Sequence, residues 1–418
     1  MSIVKNIATL ITGTTVAQAI PIIISPILTR LYSPEDFGTL TLYMSISSIF
    51  AVIATLRYEL AIIQPQDNKD AKAIVIISFF NIFLLSIITL MLVSIYNFFN
   101  IKIIDNESIR PWLYCIPLSI ILIGTFNVSN YYLLRQKSFK NMSNAKMLQG
   151  ISLSSLQVSF AFFKSLGLIL GLVFGQIISS LFIFSKAKKY WNKIETPSID
   201  RIKDNLKNYK VMPIYSAPGA LADSLSQQSP VFFISHFFGE LFTGLFGLTS
   251  RILRLPSSLI SASVSQVVYK KIIDDMNEGK KDITKFVFKT FVLLQVIYLP
   301  FVLLIWFYGE DIFGLVFGTE WKESGSVAKI IIIAVSIQFS VSPLSSILGL
   351  KEVIKLGVIW QFTYLITITI TLFYFSKFKL NIFLWAYVIH ECILYLFYLV
   401  LILKGARKLE GITKKCVA

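Results

Sequence analysis

Residues 73–98, AIVIISFFNIFLLSIITLMLVSIYNF, run for 26 positions without one Asp, Glu, Lys or Arg. As a helix the stretch is about 39 Å long, enough to cross the roughly 30 Å hydrocarbon layer of a bilayer with some tilt. A helix of a soluble protein keeps a charged, solvated face, and this one has none. Lipid is therefore the solvent it requires, and its backbone must satisfy its own hydrogen bonds.

Working outward, eleven more stretches of this kind follow one another along the 418 residues. The first six spans lie near 7–29, 37–63, 73–98, 112–134, 147–163 and 165–186. The other six lie near 211–236, 241–268, 286–308, 327–349, 354–376 and 380–403. Composition agrees: 55% of residues are apolar and 15% charged, against roughly 25% charged in a soluble protein. Mean hydropathy is +0.71. The expected fold is an all-α integral membrane body of twelve transmembrane helices.

Several chemistries are excluded or disfavoured at once. Cys115, Cys392 and Cys416 have no paired spacing, so neither a disulfide framework nor a Cys-based zinc site is expected. His236 and His390 stand outside any HExxH pattern, and no Gly-rich nucleotide loop is present, so no metal, cofactor or ATP hydrolysis is expected. The net charge of +16 is spread between apolar runs and does not form a nucleic-acid patch. Twenty-seven of the 39 Lys and Arg fall on one side of the twelve-span layout, against about eight on the other. By the positive-inside rule both termini are then cytoplasmic.

The most basic connection follows the sixth span. It divides the chain into a six-helix lobe 1–186, a basic linker 187–210, a six-helix lobe 211–403 and a basic tail 404–418. An offset of 206 lays Thr243–Leu248 on Phe37–Leu42, and the first and seventh spans both carry prolines, Pro21 and Pro26 in one, Pro213, Pro218 and Pro230 in the other. Interrupted helices at corresponding places in two halves point to a transport site between pseudo-symmetric lobes around a central cleft.

Ionisable groups at membrane depth are candidates for function, because each is costly unless it is paired or faces water. Asp223 and Arg251 fall near mid-span in the seventh and eighth helices, where they either pair or line the cleft. Arg251, Arg254, Ser258, Ser261 and Ser265 recur at steps of three and four, drawing a polar stripe down the eighth span. Ser45 and Ser48 fall under Arg251 and Arg254 at the 206 offset, in a second-span stripe that also holds Thr41, Thr55 and Glu59. Arg57, two positions from Glu59, is expected on nearly the opposite face of that helix, unable to pair with it, and either cationic in the cleft or snorkelling to headgroups. Glu391, beside His390 and in step with Tyr387 and Tyr395, is a candidate coupling group or a helix-bonding one. The spacing favours transport over catalysis: the longest external loop, near 309–326, is too short for the paired groups of a glycosyltransferase, polymerase or ligase.

From Leu10 to Pro65 the chain carries Thr12-Gly13, then Leu28-Thr29-Arg30-Leu31-Tyr32-Ser33-Pro34-Glu35-Asp36-Phe37-Gly38, then Leu56-Arg57-Tyr58-Glu59. This stretch resembles the start of polysaccharide or O-antigen repeat-unit flippases of the Wzx type, within the multidrug/oligosaccharidyl-lipid/polysaccharide exporter superfamily. The resemblance implies a bacterial inner-membrane protein that moves an undecaprenyl-pyrophosphate-linked oligosaccharide from the cytoplasmic to the periplasmic leaflet by alternating access. It also implies work alongside polysaccharide polymerase and chain-length proteins. Arginine suits such a cargo, because its fork of donors matches phosphate oxygens. The driving force stays open between membrane potential, a proton or sodium gradient and product removal. A multidrug or cation antiporter of the same superfamily is the alternative; it calls for an acidic cleft, which the arginine stripe disfavours.

Overall fold

The computed structural model describes residues 3–99, 107–277, 282–350 and 353–417, and among them there is no strand. Fifteen α-helices follow in order: α1 Ile3–Ile23, α2 Ser25–Leu31, α3 Pro34–Val52, α4 Asn68–Phe98, α5 Ile116–Arg135, α6 Phe139–Ser159, α7 Ser165–Trp191 and α8 Ile199–Asn208. They continue with α9 Ala217–Phe238, α10 Glu240–Leu253, α11 Leu255–Asn277, α12 Ile283–Phe317, α13 Lys322–Val341, α14 Ile354–Phe375 and α15 Leu380–Val417. With α1 and α2 sharing the first span, α10 and α11 the eighth, and α8 lying in the linker, these helices make the twelve spans in the expected order. Eight spans are long and apolar enough to cross a membrane on composition alone. The four others, α3, α6, α9 and the α10–α11 pair, are the more polar ones.

Local chemistry explains the boundaries. Ser33 caps α3 in a full capping box, its hydroxyl taking the Asp36 N–H while the Asp36 carboxylate takes the Ser33 N–H, with Pro34 in the first turn. Arg254 is the one-residue break between α10 and α11, two positions ahead of Pro256, whose ring disfavours a helical residue before it. The sequence reading ran the eighth span straight through this point. Lys164, at φ +51°, parts α6 from α7 where only Lys164 and Ser165 were available. The seventh span opens with a π-helical turn, Met212–Ser216, around Pro213, and then runs through Pro230 unbroken. The helix of the twelfth span, α15, continues through the basic tail to Val417.

By its internal packing the chain divides into a unit from Met1 to Gly244 and another from Leu245 to Ala418. In the first, α6 packs on α1 and α7, α4 on α5, and α3 on α5, α7 and α9. Gly167, Gly171 and Gly175 form a ladder every fourth residue of α7, where added Cβ atoms would lie 2.0 Å from the Phe160 carbonyl oxygen, 2.6 Å from the Gln157 nitrogen and 2.7 Å from the Leu153 Cα. Such small-residue ladders let membrane helices touch backbone to backbone. Also in this unit, a Cβ on Gly38 would stand 2.1 Å from the Glu240 carbonyl oxygen, and one on Gly244 1.8 Å from that of Pro34. Gly38 and Gly244 are equivalent under the 206 offset, so both repeats keep a glycine at this crossing.

The linker is held by its own chain. Arg201 on α8 pairs with Asp70 at 2.6 Å and with Asp67, Asn205 donates to Asp70 at 3.0 Å, and Lys69 pairs with Glu195. In the second unit α13 packs on α12 and α15, and α14 on α15. Polar threads tie this bundle: Thr249 donates to the Ser324 carbonyl at 3.0 Å and Tyr298 to the Leu253 carbonyl at 2.8 Å.

Candidate functional site

In the first unit the polar residues gather where α3 stops. The chain leaves the helix after Val52, passes Leu56 and Arg57 at φ +51° and +65°, and enters a short 3₁₀ turn, Tyr58–Ala61. That left-handed pair corrects the sequence expectation. In a continuous helix Arg57 and Glu59 point apart, whereas here Nη1 of Arg57 lies 3.6 Å from Oε1 of Glu59. Glu59 is 4% exposed and takes a hydrogen bond from the Thr55 hydroxyl. The turn is pinned from outside, Asn81 donating to the Thr55 carbonyl at 3.4 Å and Arg135 to the Gln66 carbonyl at 3.1 Å.

Arg57 also acts on Asp223 of α9, whose carboxylate accepts from Gln227 at 2.9 Å, and Tyr131 of α5 feels both Arg57 and Glu59. Arg57 Nε is buried and has no acceptor. Ser45 is buried within α3, and Ser48 donates to the Ser45 carbonyl at 2.9 Å. The second-span stripe thus reduces to the Thr55–Glu59 end, joined to α9 through Arg57.

The second unit holds a matching cluster. The Arg254 guanidinium, at the break between α10 and α11, acts electrostatically on Tyr387, Glu391, Tyr364 and Tyr395. Tyr387, Glu391 and Tyr395 repeat every fourth residue down α15, as their spacing predicted. Glu391, 2% exposed, accepts from the Tyr364 hydroxyl at 2.8 Å and has Nδ1 of His390 at 3.6 Å. The other ring nitrogen of His390 lies 3.0 Å from the Thr367 hydroxyl, and Gln338 donates to Tyr395 at 2.7 Å. Trp360 stacks on Tyr364 and Tyr398 with centroids 5.0 and 4.0 Å apart. Trp360 and Tyr364 were missed from sequence, although Trp360, Tyr364 and Thr367 share one face of α14 at helical steps.

The expected arginine stripe does not act as one surface. Arg254 joins α15, while Ser265 donates to the Pro343 carbonyl at 2.9 Å and so holds the 3₁₀ segment Ser342–Gly349. Ser261 Oγ is buried without a partner. Arg251 is half-buried and, within its unit, has no carboxylate or hydrogen-bond partner among the described residues. The Ser258 side chain lies outside the described residues. Within these two clusters, Nε of Arg57 and Nε of Arg254 are buried without an acceptor among the described residues. Phosphate oxygens are the natural acceptors for such forks.

Residues 27–326 match the family described as polysaccharide biosynthesis protein. The chain belongs to this family. A membrane protein of the cps region of Klebsiella pneumoniae, itself uncharacterised, is 23% identical over 366 residues, which cover 84% of this chain and 71% of that protein. The fold is that of the lipid II flippase MurJ in an inward closed conformation (TM-score 0.69, 15% identity, 96% of this chain and 90% of that one). It is equally that of an inward-facing MATE family multidrug resistance transporter of the MOP superfamily (TM-score 0.67, 16% identity, 98% and 96%). This polysaccharide biosynthesis protein is a multi-pass membrane protein, with a fold shared by the MurJ and MATE structures.

Proposed function

We propose that the protein translocates a polyprenyl-pyrophosphate-linked oligosaccharide, of the undecaprenyl-linked O-antigen or capsule repeat-unit type, from the cytoplasmic to the periplasmic leaflet of the inner membrane. The observation that carries this reading is the pair of buried clusters, Arg57 with Glu59 and Arg254 with Glu391, each leaving an arginine Nε–H without an acceptor. A buried donor left unpaired costs about 1–3 kcal/mol, and a diphosphate headgroup offers oxygens that remove that cost. The surrounding Tyr, Ser and Gln supply hydroxyl and amide partners for sugars, and the polyprenyl tail stays in lipid.

In this proposal segments 1–186 and 211–403 are two rocking lobes, 187–210 and the tail lie in the cytoplasm, and alternating access carries the headgroup across. Glu59 and Glu391 are the residues assigned to proton or sodium coupling. Polymerase and chain-length proteins would take over the product outside.

Deleting the protein and identifying the lipid-linked glycans by mass spectrometry tests the substrate. An undecaprenyl-linked repeat unit should accumulate on the inner leaflet, with surface polymer lost. Unchanged glycan lipids, together with raised drug sensitivity, would replace this reading with multidrug export.

A further inference from the structure

In the first unit, on a face of α4 opposite Asn81 and the Arg57 cluster, α4, α5 and α7 enclose a half-open groove of about 470 Å³. Its wall includes Phe79, Phe83, Leu181, Phe184 and Trp191, with Lys72 at one end. Phe79, Phe184 and Trp191 meet edge to face, with centroids 5.5 to 6.1 Å apart, so the floor is a fixed aromatic surface. Of the two lining hydroxyls, Thr125 and Ser180, that of Ser180 donates to the Leu122 carbonyl at 2.8 Å, and the rest of the lining between Val75 and Trp191 is aliphatic or aromatic. What the groove can hold is hydrocarbon.

Depth and charge narrow the occupant. From Lys72 to Phe83 is eleven helical residues, about 16 Å, close to half of a hydrocarbon core roughly 30 Å thick. The groove therefore runs from headgroup level to the middle of one leaflet. Trp191 closes α7 at the headgroup end, where indoles settle in membranes. The exposed Lys188 ammonium sits there, 5.9 Å above the Phe184 ring. Lys72 gives one donor to the Ile194 carbonyl at 2.6 Å, and an ammonium has two more. The nearby acids are already engaged, Asp70 by Arg201 and Glu195 by Lys69. The mouth is thus cationic above an apolar slot one leaflet deep.

We propose that this groove binds an anionic phospholipid, one acyl chain lying along Phe79, Phe83 and Leu181 and the phosphate resting on Lys72 and Lys188. Basic pockets between transmembrane helices recognise such headgroups, and a polyprenyl tail would overrun a slot that ends at mid-bilayer. The site is separate from the arginine clusters and does not depend on what they carry.

Native mass spectrometry of the full-length protein in detergent tests it, offering phosphatidylglycerol, phosphatidylethanolamine with the same chains, and undecaprenyl phosphate. The wild type should retain phosphatidylglycerol preferentially. Lys72→Gln and Lys188→Gln should each weaken that preference roughly fivefold, with the melting temperature unchanged. Ile121→Trp, which fills the slot from its wall, should reduce retention of both phospholipids. Equal retention of the two phospholipids by the wild type would overturn the proposal. So would a preference that survives both kinds of variant, or displacement of phosphatidylglycerol by undecaprenyl phosphate that Ile121→Trp abolishes.

Discussion

Arg254 and Glu391 are set among phenols and not in direct contact with each other. Tyr387 lies within the field of the guanidinium and Tyr364 donates to the carboxylate at 2.8 Å. A direct buried pair would neutralise both charges and resist exchange, since breaking one costs about 3–5 kcal/mol. Phenol neighbours leave the guanidinium free to turn to an incoming anion. Tyr364→Phe removes the donor to a carboxylate 2% exposed and should destabilise the protein by about 1–3 kcal/mol, read as a lower melting temperature in detergent. Arg254→Ala should abolish surface polysaccharide while the protein still reaches the membrane; Arg254→Lys, which keeps charge but loses the planar fork, should restore it only partly. Immunoblots of polymer and of membrane-inserted protein check both. The register of Tyr387, Glu391 and Tyr395 was legible because a helix repeats every four residues. Arg57 beside Glu59 was not. Their approach needs a left-handed turn that Asn81 and Arg135 hold from other helices, and local spacing carries no trace of it.

Among the elements, α3 and α8 show opposite limits of prediction. Ser33-Pro34-Glu35-Asp36 specifies the start of α3 through local chemistry alone, a full capping box with Pro34 in the first turn. The linker helix α8 also starts on a local signal, Ser198 capping the Arg201 N–H with Asp200 in the first turn, but its docking partners left no mark in the local sequence. Its charges looked like solvated cytoplasmic lysines and arginines, yet Arg201 and Asn205 dock it on the start of α4. The Lys69 backbone N–H and then Arg201 hold the Asp67 carboxyl below the usual carboxylate range, and Lys69 does the same for Glu195. Carboxylates with depressed values stabilise the folded arrangement above their unfolded pKa near 4 and lose that contribution as pH falls through the folded value. Hydrogen exchange of residues 199–208 should therefore stay slow at pH 7 and rise below about pH 4, and high salt should weaken the docking because these groups are exposed. On α7, Gly171→Leu would push a side chain into the Gln157 backbone 2.6 Å away. Such overpacking should cost about 1–3 kcal/mol or more, measured as loss of folded protein on fluorescence-detected size exclusion, whereas Leu166→Ala on the exposed side of α7 should be near neutral.

For the molecule as a whole, the count and order of spans were legible because twenty apolar residues in a row have few other uses. The four spans that fall short of that standard, α3, α6, α9 and α10–α11, supply Ser45, Asp223, Arg251 and Arg254 among others. Polar and ionisable groups are costly in a membrane unless they are paired or face water, which makes these four spans the most informative about function. The faint repeat at an offset of 206 gains physical meaning from Gly38 and Gly244, each pressed against a backbone that would exclude a Cβ. The decisive measurement is translocation itself. Purified protein should be placed in liposomes with an undecaprenyl-pyrophosphate-linked oligosaccharide, and the fraction reaching a membrane-impermeant glycosidase in the opposite compartment followed over time. Wild-type protein should deliver the lipid at a rate well above empty liposomes, and Arg57→Ala and Arg254→Ala should each fall to the empty-liposome rate. Undiminished delivery by both variants, or none by the wild type, would contradict arginine-mediated passage of the headgroup.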